Sequence, residues 1–218
     1  MISIASTAEI LRHQKILPLF YHSDQVICTG VVESLYAGGI KMVEFTNRGE
    51  QALSRFRELH QLRKEKFPKM ILAAGTIRSS EDAEAYLNAG ADLLISPYFD
   101  EGVAEIAKKS GAVWLPGCMT PTEIHKAASA GNNIVKLFPG NILGIEFIKA
   151  VRPLFPEVQF VVTGGVEPTV AGVELWLQAG VLAAGLGSKL ISNELMEQQQ
   201  FNQLEKNVAE LLRQLQKK

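Results

Sequence analysis

Eight short β-rich runs, separated by longer amphipathic stretches, recur along the chain: ILPLFY (16–21), MVEFTN (42–47), MILAAGT (70–76), DLLISP (92–97), VWLPGC (113–118), IVKLFPG (134–140), QFVVTGG (159–165) and LAAGLGS (182–188). This alternation constrains the fold more than any other feature. Strands joined through helices pair in parallel by right-handed crossovers. Eight such units predict an α/β protein, a (β/α)8 TIM barrel, with the barrel spanning about residues 16–190 of a single 1–218 domain. An open doubly wound sheet is the competing architecture, but the first strand-to-helix turn lacks the glycine-rich dinucleotide fingerprint.

The helices carry their own start and stop signals. Ser6-Thr7-Ala8-Glu9 and Thr120-Pro121-Thr122-Glu123 read as capping boxes, the second with proline at the first helical position. Glycine follows many helices, as in AGG before the second strand and QAGV before the eighth. An extra helix is expected before the first strand. Another is expected over about 193–217, where Leu204, Val208, Leu211, Leu212 and Leu215 recur at helical spacing and face either the barrel's outside or a neighbouring subunit.

Charge and cysteine usage narrow the partners. A formal net charge of -1 gives no broad footprint for nucleic acid or an anionic membrane. The opening residues show no basic stretch followed by an apolar core, and no run approaches the ~20 apolar residues that span a bilayer. A soluble, cytoplasmic protein is expected. Cys28 and Cys118 stand far apart without metal-ligand spacing and read as buried thiols. No HxH, HExxH or DxD cluster marks a strand end, so neither a metal nor any other cofactor is expected.

Barrel enzymes place their chemistry at the C-terminal ends of the strands, and strand parity sorts side chains there into helix-facing and barrel-facing sets. In VEFTNR, Val43 and Phe45 suit the helix layer, which turns Glu44, Thr46 and Arg48 toward the barrel mouth. In IVKLFPG, Val135 and Leu137 face outward and Ile134, Lys136 and Phe138 inward. Lys136 and Glu44 therefore point at one interior. Burial disfavours the charged form of an amine, and a neutral amine can attack a ketone to form a Schiff base while a nearby carboxylate moves protons. A structural buried ion pair is the other reading of these two residues.

The remaining strand ends supply glycines and hydroxyls. Gly164 and Gly165 after strand seven, with Gly187 and Ser188 after strand eight, stand where barrels frequently bind phosphate, although glycine also ends strands for purely local reasons. Arg48 can fork onto a carboxylate or phosphate, or simply open the next helix in solvent. Glu123 is assigned to its helix cap and His22 to a partly exposed loop. His13, His60 and His125 fall in helical patterns without partner spacing.

The ordered series VEFTNR, AAGT, ISP, LPGCMTPTE, VKLFPG and TGGV resembles the 2-keto-3-deoxy-6-phosphogluconate aldolase family, which includes 4-hydroxy-2-oxoglutarate and 2-keto-3-deoxy-6-phosphogalactonate aldolases. The resemblance implies a class I, metal-independent lyase on a (β/α)8 barrel, a homotrimer, releasing pyruvate and glyceraldehyde 3-phosphate from a small keto acid in Entner–Doudoroff-type carbohydrate metabolism. It implies Lys136 as the Schiff-base lysine and Glu44 as the general acid/base. Arg48 and Thr76 would hold the carboxylate; Pro97, Phe138 and Thr163 would line the pocket; Gly164, Gly165 and Ser188 would contact the phosphate. Three departures from the family pattern stand out. Gly49 replaces a common threonine, Tyr98 replaces a common glycine and would narrow or reshape the barrel mouth, and the run Tyr21-His22-Ser23-Asp24 stands where relatives often carry a basic residue just after strand one. Two rival functions are an isomerase or epimerase using Glu44 without a covalent step, and a catalytically silent binding barrel.

Overall fold

A computed structural model describes residues 2–217. Helix α1 (Ile4–Gln14) precedes β1 (Ile16–Phe20), and the alternation continues through α2 (Gln25–Ala37), β2 (Met42–Thr46), α3 (Ala52–Lys66), β3 (Ile71–Gly75), α4 (Ser80–Asn88), β4 (Leu93–Ile95) and α5 (Glu101–Ser110). Then come β5 (Val113–Leu115), β6 (Gly117–Cys118), α6 (Pro121–Ser129), β7 (Ile134–Leu137), α7 (Gly140–Val151) and a 3-10 turn at Arg152–Leu154. The chain closes with β8 (Gln159–Thr163), α8 (Val170–Ala179), β9 (Ala183–Leu186), α9 (Asn193–Glu197) and α10 (Phe201–Gln216).

The strands form one parallel sheet in the order β5-β4-β3-β2-β1-β9-β8-β7-β6. Its two terminal strands are separated in sequence by Pro116 alone, so the sheet curls into a nearly closed barrel. VWLPGC, expected as one strand, is divided at Pro116 because proline has no N–H to give to a ladder. The division hands the chain from one neighbour to the other. The Leu115 carbonyl accepts from Ser96 N–H at 3.0 Å, whereas the Pro116 carbonyl accepts from Lys136 N–H at 2.9 Å. Gly117 permits the junction, since a Cβ there would lie 2.2 Å from the Pro97 carbonyl carbon.

Parity sorts the core into two layers. Val43, Phe45, Val135 and Leu137 join the cluster between barrel and helices, while Met42, Ile134, Leu17, Leu93, Leu115 and Val161 fill the interior. Phe45 meets Phe20 edge-on at 5.3 Å in the outer layer. Outside the barrel, α10 buries Leu204, Val208, Leu211, Leu212 and Leu215 and packs against α2. Gly30 of α2 allows the approach, because a Cβ there would stand 2.4 Å from the Phe201 ring.

At the opposite end of the barrel from the strands' C-termini, α1 contributes Ala8 and Leu11 to the interior. Its start differs from expectation. Ser3, not Ser6, is the N-cap and accepts from Ser6 N–H, so Ser6–Glu9 already lies inside the first turns. Thr120 and Glu123 do form the expected capping box at α6. Gln14, buried at the end of α1, uses its whole amide: Nε2 donates to the carbonyls of Ile16 and Met42, and Oε1 accepts from the N–H groups of Lys41 and Met42. Gln14→Ala would leave these backbone groups short of partners, so urea denaturation should show a loss of about 3 kcal/mol. A change below about 0.5 kcal/mol, the range of an ordinary surface substitution, would contradict this account of the barrel's base.

Candidate active site

Glu44 and Lys136 are the only charged residues fully buried among the described residues. They reach the barrel interior from β2 and β7, with Lys136 Nζ 3.5 Å from Glu44 Oε1 and 5.5 Å from the centre of the Phe138 ring. Neither Glu44 oxygen has a hydrogen-bond partner in the protein. This is poor geometry for an ion pair that stabilises the fold. Burying each charge costs several kcal/mol, and the mutual attraction offsets that only when good hydrogen bonds satisfy both groups. Arg63 and Asp92 come closer to such a structural pair, although Arg63 Nε is itself without a partner. They meet at 2.7 Å, Asp92 also accepts from Leu72 N–H at 2.8 Å, and Arg63 also donates to the Met70 carbonyl at 3.2 Å.

Room for the Glu44 carboxylate comes from Gly75 on the neighbouring strand. A Cβ at position 75 would fall 2.0 Å from Oε1. Thr163 is arranged similarly: its buried Oγ1 also lacks a protein partner, and a Cβ at Gly185 would fall 2.3 Å from it. Unpaired buried oxygens are uncommon in folded proteins because each loses its hydration without compensation. Three of them lie at one end of this barrel.

Above them opens a cavity of about 380 Å3 lined by Arg48, Phe138, Thr163, Gly164, Gly165, Gly187 and Ser188, all anticipated from the sequence. Thr46 and Phe138, the next inward positions along the two chain segments, line it, so Glu44 and Lys136 sit one layer deeper. Thr76 and Pro97 do not line the cavity. Thr76 instead ends β3 with φ 60°, a left-handed conformation that costs a β-branched residue about 1–3 kcal/mol. Pro97 packs its carbonyl against Gly117 at the strand junction.

The structure adds lining residues that sequence reasoning missed: Tyr21, Gly185, Lys189, Asn193 and Met196. The last two lie on α9 and carried no motif. Tyr21 also accounts for Gly49, which has φ 105° and whose Cβ would stand 2.7 Å from the Tyr21 hydroxyl. A threonine there would meet both strain and a clash. Tyr98, expected near the mouth, is exposed, donates to the Arg78 carbonyl at 3.3 Å and does not line the cavity. His22 is likewise outside the lining. Its Nδ1 accepts from Asp24 N–H, which leaves Nε2 to donate to Glu197 at 3.1 Å.

Among the described residues, no group of three or more His, Cys, Asp or Glu is placed to hold a metal. Cys28 and Cys118 are buried free thiols, and burial pushes both up to about 12.

Fold and site together define an enzyme built as a parallel β/α barrel, with a buried amine and an unpaired carboxylate beneath a glycine-lined cavity. A family model of KDPG and KHG aldolases matches residues 7–207, and the chain belongs to that family. It is 34% identical to the 2-dehydro-3-deoxy-6-phosphogalactonate aldolase of Escherichia coli over 123 residues, 56% of this chain and 59% of that relative. It is 27% identical to the KHG/KDPG aldolase of the same organism over 94% of each chain. Among solved structures, the KDPG aldolase of Legionella pneumophila, with pyruvate captured as a covalent carbinolamine intermediate, superposes with a TM-score of 0.85. That match has 25% identity and covers 94% of this chain and 97% of that one.

Two outcomes follow from this geometry. Gly75→Ala should displace the Glu44 carboxylate and lower kcat about 10²-fold or more while the protein remains folded, since misplacement by about 1 Å has that effect; unchanged kcat would contradict the cradle. Both cysteines should resist a thiol reagent at pH 8 in the native protein and react fully in urea. Alkaline stability follows the same shift: the unfolded thiols ionise near pH 9 and the native ones near 12, so this contribution is intact below about pH 9 and is lost as pH rises toward 12. A thiol reacting rapidly in the native state would show that burial is not what governs it.

Proposed function

We propose that this chain is a class I aldolase that cleaves a 2-keto-3-deoxy-6-phospho sugar acid of the gluconate or galactonate type to pyruvate and glyceraldehyde 3-phosphate, and also accepts 4-hydroxy-2-oxoglutarate. The observation that carries the reading is the buried Lys136–Glu44 pair, 3.5 Å apart, with a carboxylate that no protein group hydrogen-bonds. Family membership supports it independently.

In this mechanism Lys136 Nζ attacks the C2 carbonyl carbon of the keto acid, giving a carbinolamine. Glu44, directly or through a water, protonates the departing hydroxyl, and loss of water leaves a protonated imine. That imine withdraws electrons. Glu44 then takes the C4 hydroxyl proton, the C3–C4 bond breaks, its electron pair enters an enamine, and the aldehyde fragment leaves. Protonation of the enamine at C3 and hydrolysis of the imine release pyruvate and restore Lys136. Arg48, at the cavity wall, carries the positive charge suited to the C1 carboxylate. Phe138 supplies an apolar wall beside the amine.

The remaining assignments belong to the same proposal. Thr76, at the end of β3 and outside the cavity lining, supports the carboxylate end held by Arg48 rather than walling it, and Pro97 shapes the floor from the strand junction behind it. Gly164, Gly165, Gly187 and Ser188 receive the phosphate. β5 and β6 count as one strand interrupted at Pro116, which makes the barrel (β/α)8 within a single 1–218 domain. The protein acts as a cytoplasmic homotrimer; exposed Ile142 and Leu154 offer apolar surface for subunit contact. No described helix is long and apolar enough to cross a membrane.

Incubation with pyruvate and borohydride should leave a mass adduct on the Lys136 peptide, and Lys136→Ala should abolish both the adduct and pyruvate release. An unmodified Lys136 peptide would sink the covalent mechanism in favour of a proton-transfer barrel. Glu44→Gln should lower kcat by about 10²–10⁴-fold, the span of a lost general acid/base. Because the imine serves as the electron sink, dialysis against a chelator should leave turnover unchanged, and magnesium-restorable loss would count against it.

A further inference from the structure

We propose that Lys189 is the cation that selects for the substrate's distal phosphate, and that Glu167 holds its ammonium at the cavity rim until an anion competes for it. The inference rests on the aldolase reading and identifies what makes the phosphate end matter. Lys189 immediately follows Ser188 on the loop after β9; Glu167 lies two residues past Gly165 on the loop after β8. Their side chains form an ion pair that bridges the two glycine loops.

Three features point to a ligand. First, among the described residues Arg48 and Lys189 are the only formally charged ones lining the cavity, both cationic, with no carboxylate beside them in the lining. Second, buried Thr163 Oγ1, without a protein partner, lies in the same wall. Third, Gly164 and Gly165 take φ 106° and 76°, and a Cβ at Gly165 would stand 2.4 Å from Asn141 Cβ, so this wall of the cavity is bare backbone.

The charges are also suitably spaced. Only β1 separates β2 from β9 in the sheet, so Arg48 and Lys189 start from strand ends about 10 Å apart. Two long side chains across that gap suit a six-carbon acid with carboxylate and phosphate at opposite ends. The Lys189–Glu167 pair is easily exchanged, because its side chains are 47% and 60% exposed and such pairs contribute little to stability. A phosphate dianion with three acceptor oxygens is the stronger partner for an ammonium.

Calorimetric titration with glycerol 3-phosphate, which carries the phosphate without the keto acid, tests the subsite directly. Wild-type protein should bind it, Lys189→Gln should weaken binding about tenfold, and Glu167→Gln should tighten it. Equal affinity in wild type and Lys189→Gln would overturn the proposal. In turnover, the kcat/KM ratio of the phosphorylated to the unphosphorylated 2-keto-3-deoxy acid should fall about tenfold in Lys189→Gln, carried by KM. An unchanged ratio, or an equal loss with 4-hydroxy-2-oxoglutarate, would overturn the phosphate assignment. Pyruvate–borohydride trapping on the wild type separately decides the aldolase reading.

Discussion

A ring of parallel strands has one interior, and the two-residue period of a strand sends alternate side chains into it. Everything distinctive about this protein follows from that restriction. The interior admits few side chains, and most are Leu, Ile, Val, Met and Ala, whose burial drives folding. A charged side chain entering there displaces apolar packing and gives up its water. Glu44 and Lys136 both enter, from β2 and β7, and they are accommodated because Gly75 lacks a side chain where the carboxylate lies.

The two ends of the barrel treat buried polarity in opposite ways. At the base, Gln14 is tied to four backbone groups and works as a structural plug. At the other end, Glu44 and Thr163 keep oxygens that no protein group satisfies. A structure under selection for stability alone would pair or replace such groups, since unsatisfied buried polar atoms each cost about 1–3 kcal/mol. Their concentration beneath a cavity leaves them to be satisfied by solvent or by a polar ligand that enters it. The strained Thr76 backbone at the end of β3 belongs to the same region.

Sequence periodicity carried much of this information. Parity along VEFT and IVKL sorts Val43, Phe45, Val135 and Leu137 from Glu44 and Lys136 on sequence alone, because a half-apolar pattern on a strand admits one packing solution. The spacing of Leu204, Val208, Leu211, Leu212 and Leu215 likewise foretold the buried face of α10. What stayed hidden depends on contacts between distant residues. Pro116 read as part of a strand because local pattern does not reveal which neighbour a carbonyl will meet. Ser6–Glu9 matched a capping box, but Ser3 met the same requirement one turn earlier. Lys189 and Tyr21 joined the cavity wall through loop geometry and carried no periodic signal.

The glycines connect these two levels. Gly75, Gly185 and Gly49 look like ordinary strand and turn residues, yet each leaves space for a particular side chain: Glu44, Thr163 and Tyr21. Gly49 and Tyr21 make the dependence clear, because the large aromatic wall and the absent side chain opposite it must occur together. At position 49 the Tyr21 hydroxyl fills the space that a side chain would need. The cavity's shape is set as much by where Cβ atoms are missing as by the side chains that line it.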